Sequence, residues 1–305
     1  MINRRELIKA GLALGAAIVV PHGLLRAQSQ GLIQKKIPST GESVPVIGIG
    51  TARRYSAGPG TPQRAELKEV LRQFAAAGGK VIDTAPSYGS AESVVGDLVS
   101  ELGIRPSLFI ATKVRARDRN SVLEQIDESF NRLRTDRIDL IEVHNLTNTG
   151  PTLAILRELK QAGRIRYIGM TTSFERQHAE FADEMQREQL DFIQVNYALD
   201  DRAAADRILP IAAERGIAVL VNLPLGRGRL FQEVRTRPLP EWAAEFDCHS
   251  WAQFFLKYIV SHPAVTCAIP GTARTKYVTD NLGAARGRLP DAAMRKRMEA
   301  FIDKI

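Results

Sequence analysis

The sequence predicts an α/β protein built as a (β/α)8 TIM barrel. Short apolar segments alternate with amphipathic segments from residue 45 to the end of the chain, and they form eight strand–helix pairs. Continuously apolar strands are typical of a parallel sheet covered on both faces, and eight such pairs in about 270 residues fit one closed barrel. No linker rich in proline or serine interrupts this region, so we expect a single domain.

Each element follows from the spacing of its apolar residues. The apolar runs predict strands at 46–50, 81–82, 108–110, 138–143, 166–170, 192–195, 217–221 and 265–269. Apolar residues at helical spacing predict helices over 65–77, 92–101, 121–133, 152–161, 175–185, 203–214, 250–260, 275–283 and 291–303. Residues 31–44 are predicted to form a short N-terminal hairpin, with its turn at 39–42, that caps the barrel floor.

An open, doubly wound sheet is the alternative architecture for alternating strands and helices. It requires a glycine-rich turn after the first strand, at which a dinucleotide would bind. Gly48 and Gly50 begin such a turn, but Arg53 occupies the position of the third glycine. We therefore reject the open sheet in favour of the barrel.

Residues 1–27 have the pattern of a secretory signal. Arg4 and Arg5 precede an uncharged apolar run at 10–20, and Leu-Arg-Ala at 25–27 offers a cleavage point. The run is shorter than the roughly 20 residues of a transmembrane helix, so we expect no lasting membrane span. The arginine pair resembles a twin-arginine signal, which exports folded proteins. The sequence thus predicts a mature domain at 28–305, a periplasmic or exported location, and the twin-arginine export machinery as a partner.

Charge and cysteine content exclude several classes of protein. The chain has 42 basic and 34 acidic residues, a net charge of +8, but no long block of like charges that would mark a nucleic-acid-binding tail. Two cysteines are too few for a disulfide-dense scaffold or a four-cysteine zinc site. The diffuse basic surplus fits either an anionic small ligand or an ordinary solvated surface, and we expect no nucleic-acid partner.

Polar residues follow three consecutive predicted strands. In a barrel of this kind, chemistry takes place at the carboxyl ends of the strands. The second, third and fourth strands end at Asp83, Lys113 and His144, and Tyr88 lies five residues beyond Asp83. The sequence therefore predicts that these four side chains meet at one rim.

Together, the four side chains form a set suited to proton transfer. A phenol has a pKa near 10, and a nearby ammonium such as that of Lys113 lowers the pKa of Tyr88. A buried lysine needs a carboxylate partner to stay charged, and Asp83 can be that partner. A neutral imidazole at His144 can hydrogen-bond a substrate oxygen. The sequence contains no spacing typical of a metal site, so a metal mechanism is not expected.

Four motifs resemble the signature of the aldo-keto reductases. They are 82–89 (Ile-Asp-Thr-Ala-Pro-Ser-Tyr-Gly) with Glu92 downstream, 111–114 (Ala-Thr-Lys-Val), 139–145 (Asp-Leu-Ile-Glu-Val-His-Asn) and 163–169 (Gly-Arg-Ile-Arg-Tyr-Ile-Gly). The resemblance extends from about residue 33 to about residue 285. It implies a barrel, able to function as a monomer, that binds a nicotinamide cofactor without a Rossmann domain. It also implies reversible reduction of a small aldehyde or ketone to the alcohol.

The resemblance assigns a role to each residue of the predicted rim. Tyr88 would be the general acid, and Lys113 would lower its pKa. Asp83 would pair with Lys113, and His144 would orient the substrate carbonyl. Hydride would pass from the nicotinamide to the carbonyl carbon while Tyr88 protonates the oxygen.

The resemblance also implies where the cofactor binds. The implied contacts are Thr51, Asp83, Thr171, Thr172, Gln194, Asn222, Pro224, Leu225, Gly226, Gly228, Pro270, Gly271, Thr272, Arg274, Lys276, Asp280 and Asn281. Within this set, Gln194 would bond the nicotinamide carboxamide, the loop 224–228 would cover the pyrophosphate, and Asn281 would contact the adenine.

Three positions depart from the family pattern. Thr172 replaces an asparagine that holds the carboxamide, and Asn222 replaces an aromatic residue that stacks on the nicotinamide. Tyr277 replaces a basic residue that contacts the 2′-phosphate, but Arg274 and Lys276 are close enough to take over this contact. We therefore expect NADPH as the cofactor, with NADH possible.

Two other functions remain open. One is a nicotinamide-binding barrel with little turnover that acts as a redox sensor or regulatory subunit; slow turnover despite tight cofactor binding would favour it. The other is an isomerase or lyase that binds a phosphorylated substrate on the same barrel, which would be active without nicotinamide.

Overall fold

The computed structural model describes residues 31–305, and the predicted signal at 1–27 lies outside the described residues. The described strands are β1 (Gln34–Lys36), β2 (Ser43–Pro45), β3 (Ile49–Gly50), β4 (Val81–Asp83), β5 (Phe109–Val114), β6 (Ile138–His144), β7 (Ile165–Thr171), β8 (Phe192–Asn196), β9 (Ala218–Asn222) and β10 (Cys267–Ala268). The described α-helices are α1 (Pro62–Ala76), α2 (Ala91–Leu102), α3 (Arg119–Leu133), α4 (Thr149–Gln161), α5 (His178–Arg187), α6 (Ile208–Arg215), α7 (Arg229–Glu233), α8 (Trp251–Val260), α9 (Thr275–Gly283) and α10 (Ala292–Ile302).

Strands β3 to β10 form one parallel sheet in which each strand pairs with the next along the chain. The sheet closes on itself where Ile47 bridges to Ala268, and the Gly48 amide donates to the Ala268 carbonyl at 2.9 Å. A Cβ on Gly48 would lie 2.7 Å from the Val81 carbonyl oxygen, so only glycine permits this close approach. The predicted (β/α)8 barrel is confirmed.

The predicted N-terminal hairpin is present and plugs the barrel floor. Strands β1 and β2 pair antiparallel, and Gly41 takes a left-handed conformation (φ +75°) in the turn between them. Ile37 and Val44 pack into the apolar cluster inside the barrel. Burial of these side chains holds the hairpin against the strand ends opposite the predicted rim.

Strand side chains alternate between the barrel interior and the surrounding helices. In β6, Leu140 belongs to the interior cluster, whereas Ile141 and Val143 pack in the outer core against the helices. The alternation places Glu142 and His144 on the same inward face as Leu140. This arrangement directs polar residues near the strand ends towards the barrel axis.

The boundaries of several elements differ from their prediction. The predicted helix 203–214 is divided into a 3₁₀ turn at Ala203–Ala205 and helix α6, whose first turn accommodates Pro210. The first and last barrel strands are shorter than predicted, and the short helix α7 has no counterpart in the prediction. Apolar spacing does not register the hydrogen bonds that end an element, so such ends shift by a few residues.

Candidate active site

The structure brings the four predicted rim residues together. Asp83 ends β4, Lys113 lies near the end of β5, His144 ends β6, and Tyr88 lies in the loop after β4. Lys113 Nζ donates to Asp83 Oδ1 at 2.5 Å and lies 5.3 Å from the centroid of the Tyr88 ring. The rings of Tyr88 and His144 meet edge to face, with centroids 6.3 Å apart. The carboxyl ends of three neighbouring strands thus form one polar cluster.

Lys113 is a fully buried cation held by two acceptors. Besides Asp83, its ammonium donates to the Thr84 carbonyl at 2.9 Å. Burial by itself lowers the pKa of Lys113, but the Asp83 carboxylate, with further contributions from Tyr88 and Glu142, outweighs burial and raises that pKa above its ordinary value. The ammonium therefore stays charged in this dry position.

Tyr88 is held in its protonated form. Burial raises the pKa of its hydroxyl, with smaller contributions from Asp83 and Glu142, while Lys113 acts in the opposite direction. Lys113 thus lowers the pKa of Tyr88 as predicted, but burial has the larger effect and the pKa of Tyr88 is raised. A protonated phenol beside a fixed cation can donate its proton, because the cation stabilises the phenolate that remains.

His144 is neutral at physiological pH. Burial, together with the positive charges of Lys113 and Arg115, lowers the pKa of its imidazole to about 4. A neutral imidazole carries one N–H donor and one acceptor nitrogen, so it can hydrogen-bond a substrate oxygen without adding charge.

Two predicted cofactor residues are bonded into this cluster. Gln194 Nε2 donates to Asp83 Oδ1 at 2.8 Å, and Gln194 Oε1 accepts from the Thr171 hydroxyl at 3.0 Å. The amide of Gln194 is therefore fixed between β4 and β7. In this position it orients the Asp83 carboxylate towards Lys113.

Several buried polar atoms at the rim have no partner among the described residues. They are Thr51 Oγ1, Thr84 Oγ1, Asn196 Oδ1 and Asn222 Oδ1. Each belongs to, or directly follows, the carboxyl end of a barrel strand. Because buried polar groups almost always find hydrogen-bond partners, these four atoms fit a polar ligand that binds at this end of the barrel.

Two of the three positions that depart from the family pattern, Thr172 and Asn222, contact each other. Asn222 Nδ2 donates to the Thr172 carbonyl at 3.4 Å, which leaves Asn222 Oδ1 without a partner among the described residues. The Thr172 hydroxyl donates to Gln177 Oε1 at 2.6 Å. The free acceptor on Asn222 suits the NH₂ group of a carboxamide.

The predicted pyrophosphate loop, 224–228, is tied to the loop that follows β8. Leu223, Gly226, Arg227 and Gly228 all have positive φ angles, and Arg229 Nε donates to Asp200 Oδ2 at 2.6 Å. The loop therefore has a defined turn conformation and an anchor at its end.

The segment after β10 divides into bonded and free side chains. Asn281 Nδ2 donates to Thr272 Oγ1 at 2.8 Å, and Asp280 Oδ1 accepts from Ser250, the residue that caps α8. Asp280 thus braces two helices. Arg274 and Lys276 are exposed, and neither forms an ion pair with a described residue, although Lys276 Nζ lies 4.9 Å from the centroid of the Tyr277 ring; both positive charges can therefore bind a phosphate.

Two charged residues at this end of the barrel have no role in the sequence prediction. Glu142 lies inside the barrel beside Lys113, and Arg115 follows β5 near His144. A charged residue between apolar neighbours in a buried strand is the signal that could have pointed to Glu142. Among the described residues, no group of three or more side chains could hold a metal ion, and no helix has the length and apolarity to cross a membrane.

A (β/α)8 barrel with tyrosine, lysine, aspartate and histidine at the carboxyl rim defines a class of barrel oxidoreductases. The chain belongs to the aldo/keto reductase family, whose family model matches residues 46–302.

Two curated relatives illustrate this relationship. The NADH-specific methylglyoxal reductase of Escherichia coli K12 is 31% identical over 330 aligned positions, which cover 88% of this chain and 99% of that protein. The aldo-keto reductase YhdN of Bacillus subtilis is 33% identical over 210 residues; the match covers 64% of this chain and 62% of that relative's length.

Solved structures share the fold. An aldo/keto reductase from Klebsiella pneumoniae, in complex with NADP and acetate, has a TM-score of 0.74 and 24% identity, covering 89% of this chain and 96% of that one. The thermostable aldo-keto reductase Tm1743, in complex with the inhibitor epalrestat, has a TM-score of 0.73 and 28% identity, covering 88% and 99%.

Proposed function

We propose that the protein reduces a small aldehyde or ketone to the alcohol, reversibly, with a reduced nicotinamide cofactor. The observation that carries this proposal is the buried Lys113–Asp83 ion pair beside a protonated Tyr88 and a neutral His144. A carbonyl substrate is also supported by the relative from Escherichia coli, which is named as a reductase of methylglyoxal, a small 2-oxoaldehyde.

Each residue of the rim has a separate role in carbonyl reduction. A reduced nicotinamide, when bound at this rim, would supply the hydride for the carbonyl carbon. The carbon–oxygen π electrons move to the oxygen, which takes a proton from the Tyr88 hydroxyl. Lys113 stabilises the tyrosinate that remains, and solvent returns the proton to it. The neutral imidazole of His144 hydrogen-bonds the substrate oxygen and fixes its position.

The residues present fit a nicotinamide dinucleotide. The unpartnered Asn222 Oδ1 would accept from the carboxamide, and the unpartnered Thr51 hydroxyl would contact the ribose. Arg274 and Lys276 would bind a 2′-phosphate, which favours NADPH. One structural neighbour contains NADP and one relative is NADH-specific, so both cofactors belong in the assay.

The decisive experiment is NADPH and NADH oxidation by the purified protein with methylglyoxal and with a reactive aromatic aldehyde. Tyr88→Phe is the matched variant, because it removes only the phenolic oxygen. General acid catalysis contributes about 10²–10⁴-fold, so we expect the rate to fall by that factor. Tight cofactor binding with no turnover in the wild type would instead favour the redox sensor or regulatory subunit.

We further propose that residues 1–27 export the folded domain, 28–305, through the twin-arginine machinery to the periplasm. The arginine pair and the short apolar run support this proposal. Replacing Arg4 and Arg5 by lysine should retain the protein in the cytoplasm, measured by cell fractionation. A domain exported in folded form would carry its cofactor, so wild-type protein from the periplasm should contain nucleotide. Unchanged fractionation of the double variant would contradict the export route.

A further inference from the structure

Glu142 is a buried carboxyl inside the barrel that the mechanism above does not use. Glu142 lies in β6 on the inward face shared by Leu140 and His144, and 0% of its surface is exposed. Neither Oε1 nor Oε2 has a hydrogen-bond partner among the described residues. A carboxyl so placed is costly, because burying a polar group without a hydrogen bond destabilises the folded state.

Glu142 lies directly beside the cation of the active site. Across the pairing of β5 with β6, its register partner is Lys113, and across the pairing of β6 with β7 it is Gly169. Gly169 has no side chain that could hydrogen-bond the Glu142 carboxyl. Any other residue would clash here, because a Cβ would lie 2.5 Å from the Phe192 carbonyl oxygen. The glycine thus leaves the carboxyl facing the polar cluster with no competing partner from β7.

The groups that face Glu142 form one coupled set of charges. Lys113 on β5 and Asp83 on β4 both act on its ionisation, Tyr88 responds to its charge, and His144 follows two residues later on the same strand. On the strands further round the barrel, β8, β9 and β10, interior positions in register with one another hold the amide Gln194, the apolar Leu220 and the thiol Cys267.

The donors near Glu142 are already engaged. Lys113 Nζ donates to Asp83 Oδ1 and to the Thr84 carbonyl, and the Gln194 amide donates to Asp83 Oδ1. Burial raises the pKa of Glu142 well above its ordinary value, while Lys113 opposes this effect. The carboxyl therefore releases its proton far above the ordinary range for glutamate, and its titration is coupled to that of Tyr88.

We propose that Glu142 is a positioning residue of the reductase site: its carboxyl, which the strand register places beside Lys113 inside the barrel, keeps Tyr88 in the phenol form to higher pH and so extends the pH range of carbonyl reduction. Above its raised pKa, Glu142 is charged, and its carboxylate competes with a tyrosinate for the Lys113 cation, so Tyr88 retains its proton to higher pH. This role rests on the proposed function only where it concerns rates, since the ionisation of Tyr88 can be measured without turnover.

The experiment compares wild type with Glu142→Gln, which keeps the shape but removes the charge. The ultraviolet difference titration between each protein and its Tyr88→Phe counterpart reports the ionisation of Tyr88. We expect Tyr88 to ionise at lower pH in Glu142→Gln by about one pH unit, the shift that one nearby charge produces. The alkaline limb of kcat/KM for reduction should move in the same direction, and alcohol oxidation should begin at lower pH.

Two further variants make the result decisive. Glu142→Leu removes the charge with an apolar side chain suited to the interior, and should shift Tyr88 as Glu142→Gln does. Asp139→Asn changes a buried carboxyl on the same strand that is bonded to Arg105 and Arg166, and should leave the titration of Tyr88 unchanged. An unshifted Tyr88 in both Glu142 variants overturns the inference, as does failure of both to fold. Absence of reductase activity in every protein would refute the proposed function, while the titration still decides the role of Glu142.

Discussion

Lys113 Nζ lies 2.5 Å from Asp83 Oδ1, and both residues are almost completely withdrawn from solvent. Gln194 Nε2 donates to the same carboxylate oxygen at 2.8 Å. Asp83 thus accepts from donors on two other strands and links β4, β5 and β8, and its partner Lys113 lies 5.3 Å from the centroid of the Tyr88 ring. Both the stability and the chemistry of this end of the barrel depend on one carboxylate.

Asp83→Asn should therefore reduce stability and activity together. Removing one partner of a buried ion pair leaves the other charge uncompensated, at a cost of about 3–5 kcal/mol in the free energy of unfolding. Urea unfolding and kcat/KM measure the two effects. Glu158→Gln, which breaks an exposed ion pair with Arg119, is the control and should change neither. Unfolding of Asp83→Asn at the wild-type midpoint would contradict the structural role of the pair.

The buried histidines His144 and His262 should each contribute a loss of stability as the pH decreases from about 6.5 to about 4, while buried Glu142, whose pKa is raised, acts in the opposite direction. Burial lowers the pKa of His144 to about 4 and the pKa of His262 to about 4, from an ordinary value of 6.5. Between these values the unfolded chain binds protons that the folded protein excludes, so acid favours unfolding. Urea unfolding at several pH values measures this loss. His144→Gln should make the loss smaller, and an unchanged pH dependence in that variant would argue against a neutral, buried His144.

The preference for NADPH should depend on Arg274 and Lys276. Both side chains are exposed, and a hydrogen bond to a charged group contributes about 1.5–3 kcal/mol, which corresponds to at least tenfold in affinity. Arg274→Ala should weaken NADPH binding by about that factor and leave NADH binding nearly unchanged; quenching of protein fluorescence gives both dissociation constants. Equal losses for the two cofactors would mean that Arg274 does not contact the 2′-phosphate.

Cofactor release should be faster when the loop 224–228 loses its anchor. Arg229→Ala removes the ion pair with Asp200, which is partly exposed, so we expect the dissociation rate to rise by up to about fivefold. Stopped-flow displacement of bound NADPH measures this rate. Arg207→Ala breaks an exposed pair with Asp183 elsewhere and serves as the control. Equal dissociation rates in both variants would show that this loop does not retain the cofactor.

The alternation of apolar runs with amphipathic segments was sufficient to predict the barrel and the positions of its rim residues. Strands in a parallel barrel all point the same way, so residues such as Asp83, Lys113 and His144, which end consecutive strands, must meet at one edge. Local hydrophobic patterns therefore carry long-range information in this fold. The sequence also predicted the floor hairpin with its turn at 39–42, and the structure adds that Ile37 and Val44 of this hairpin are buried in the barrel interior.

By itself, the sequence determined the architecture, the family and which polar residues meet at the strand ends. Only the tertiary structure decided how those residues act on each other. Burial has a larger effect than Lys113 on the pKa of Tyr88, and Gln194 donates a hydrogen bond to Asp83. Glu142 lies beside Lys113 in the strand register, without a hydrogen-bond partner among the described residues. These properties depend on strand register and on the exclusion of water, which arise from contacts between residues far apart in the chain. Apolar spacing records which face of an element is buried, but not which polar atoms meet there.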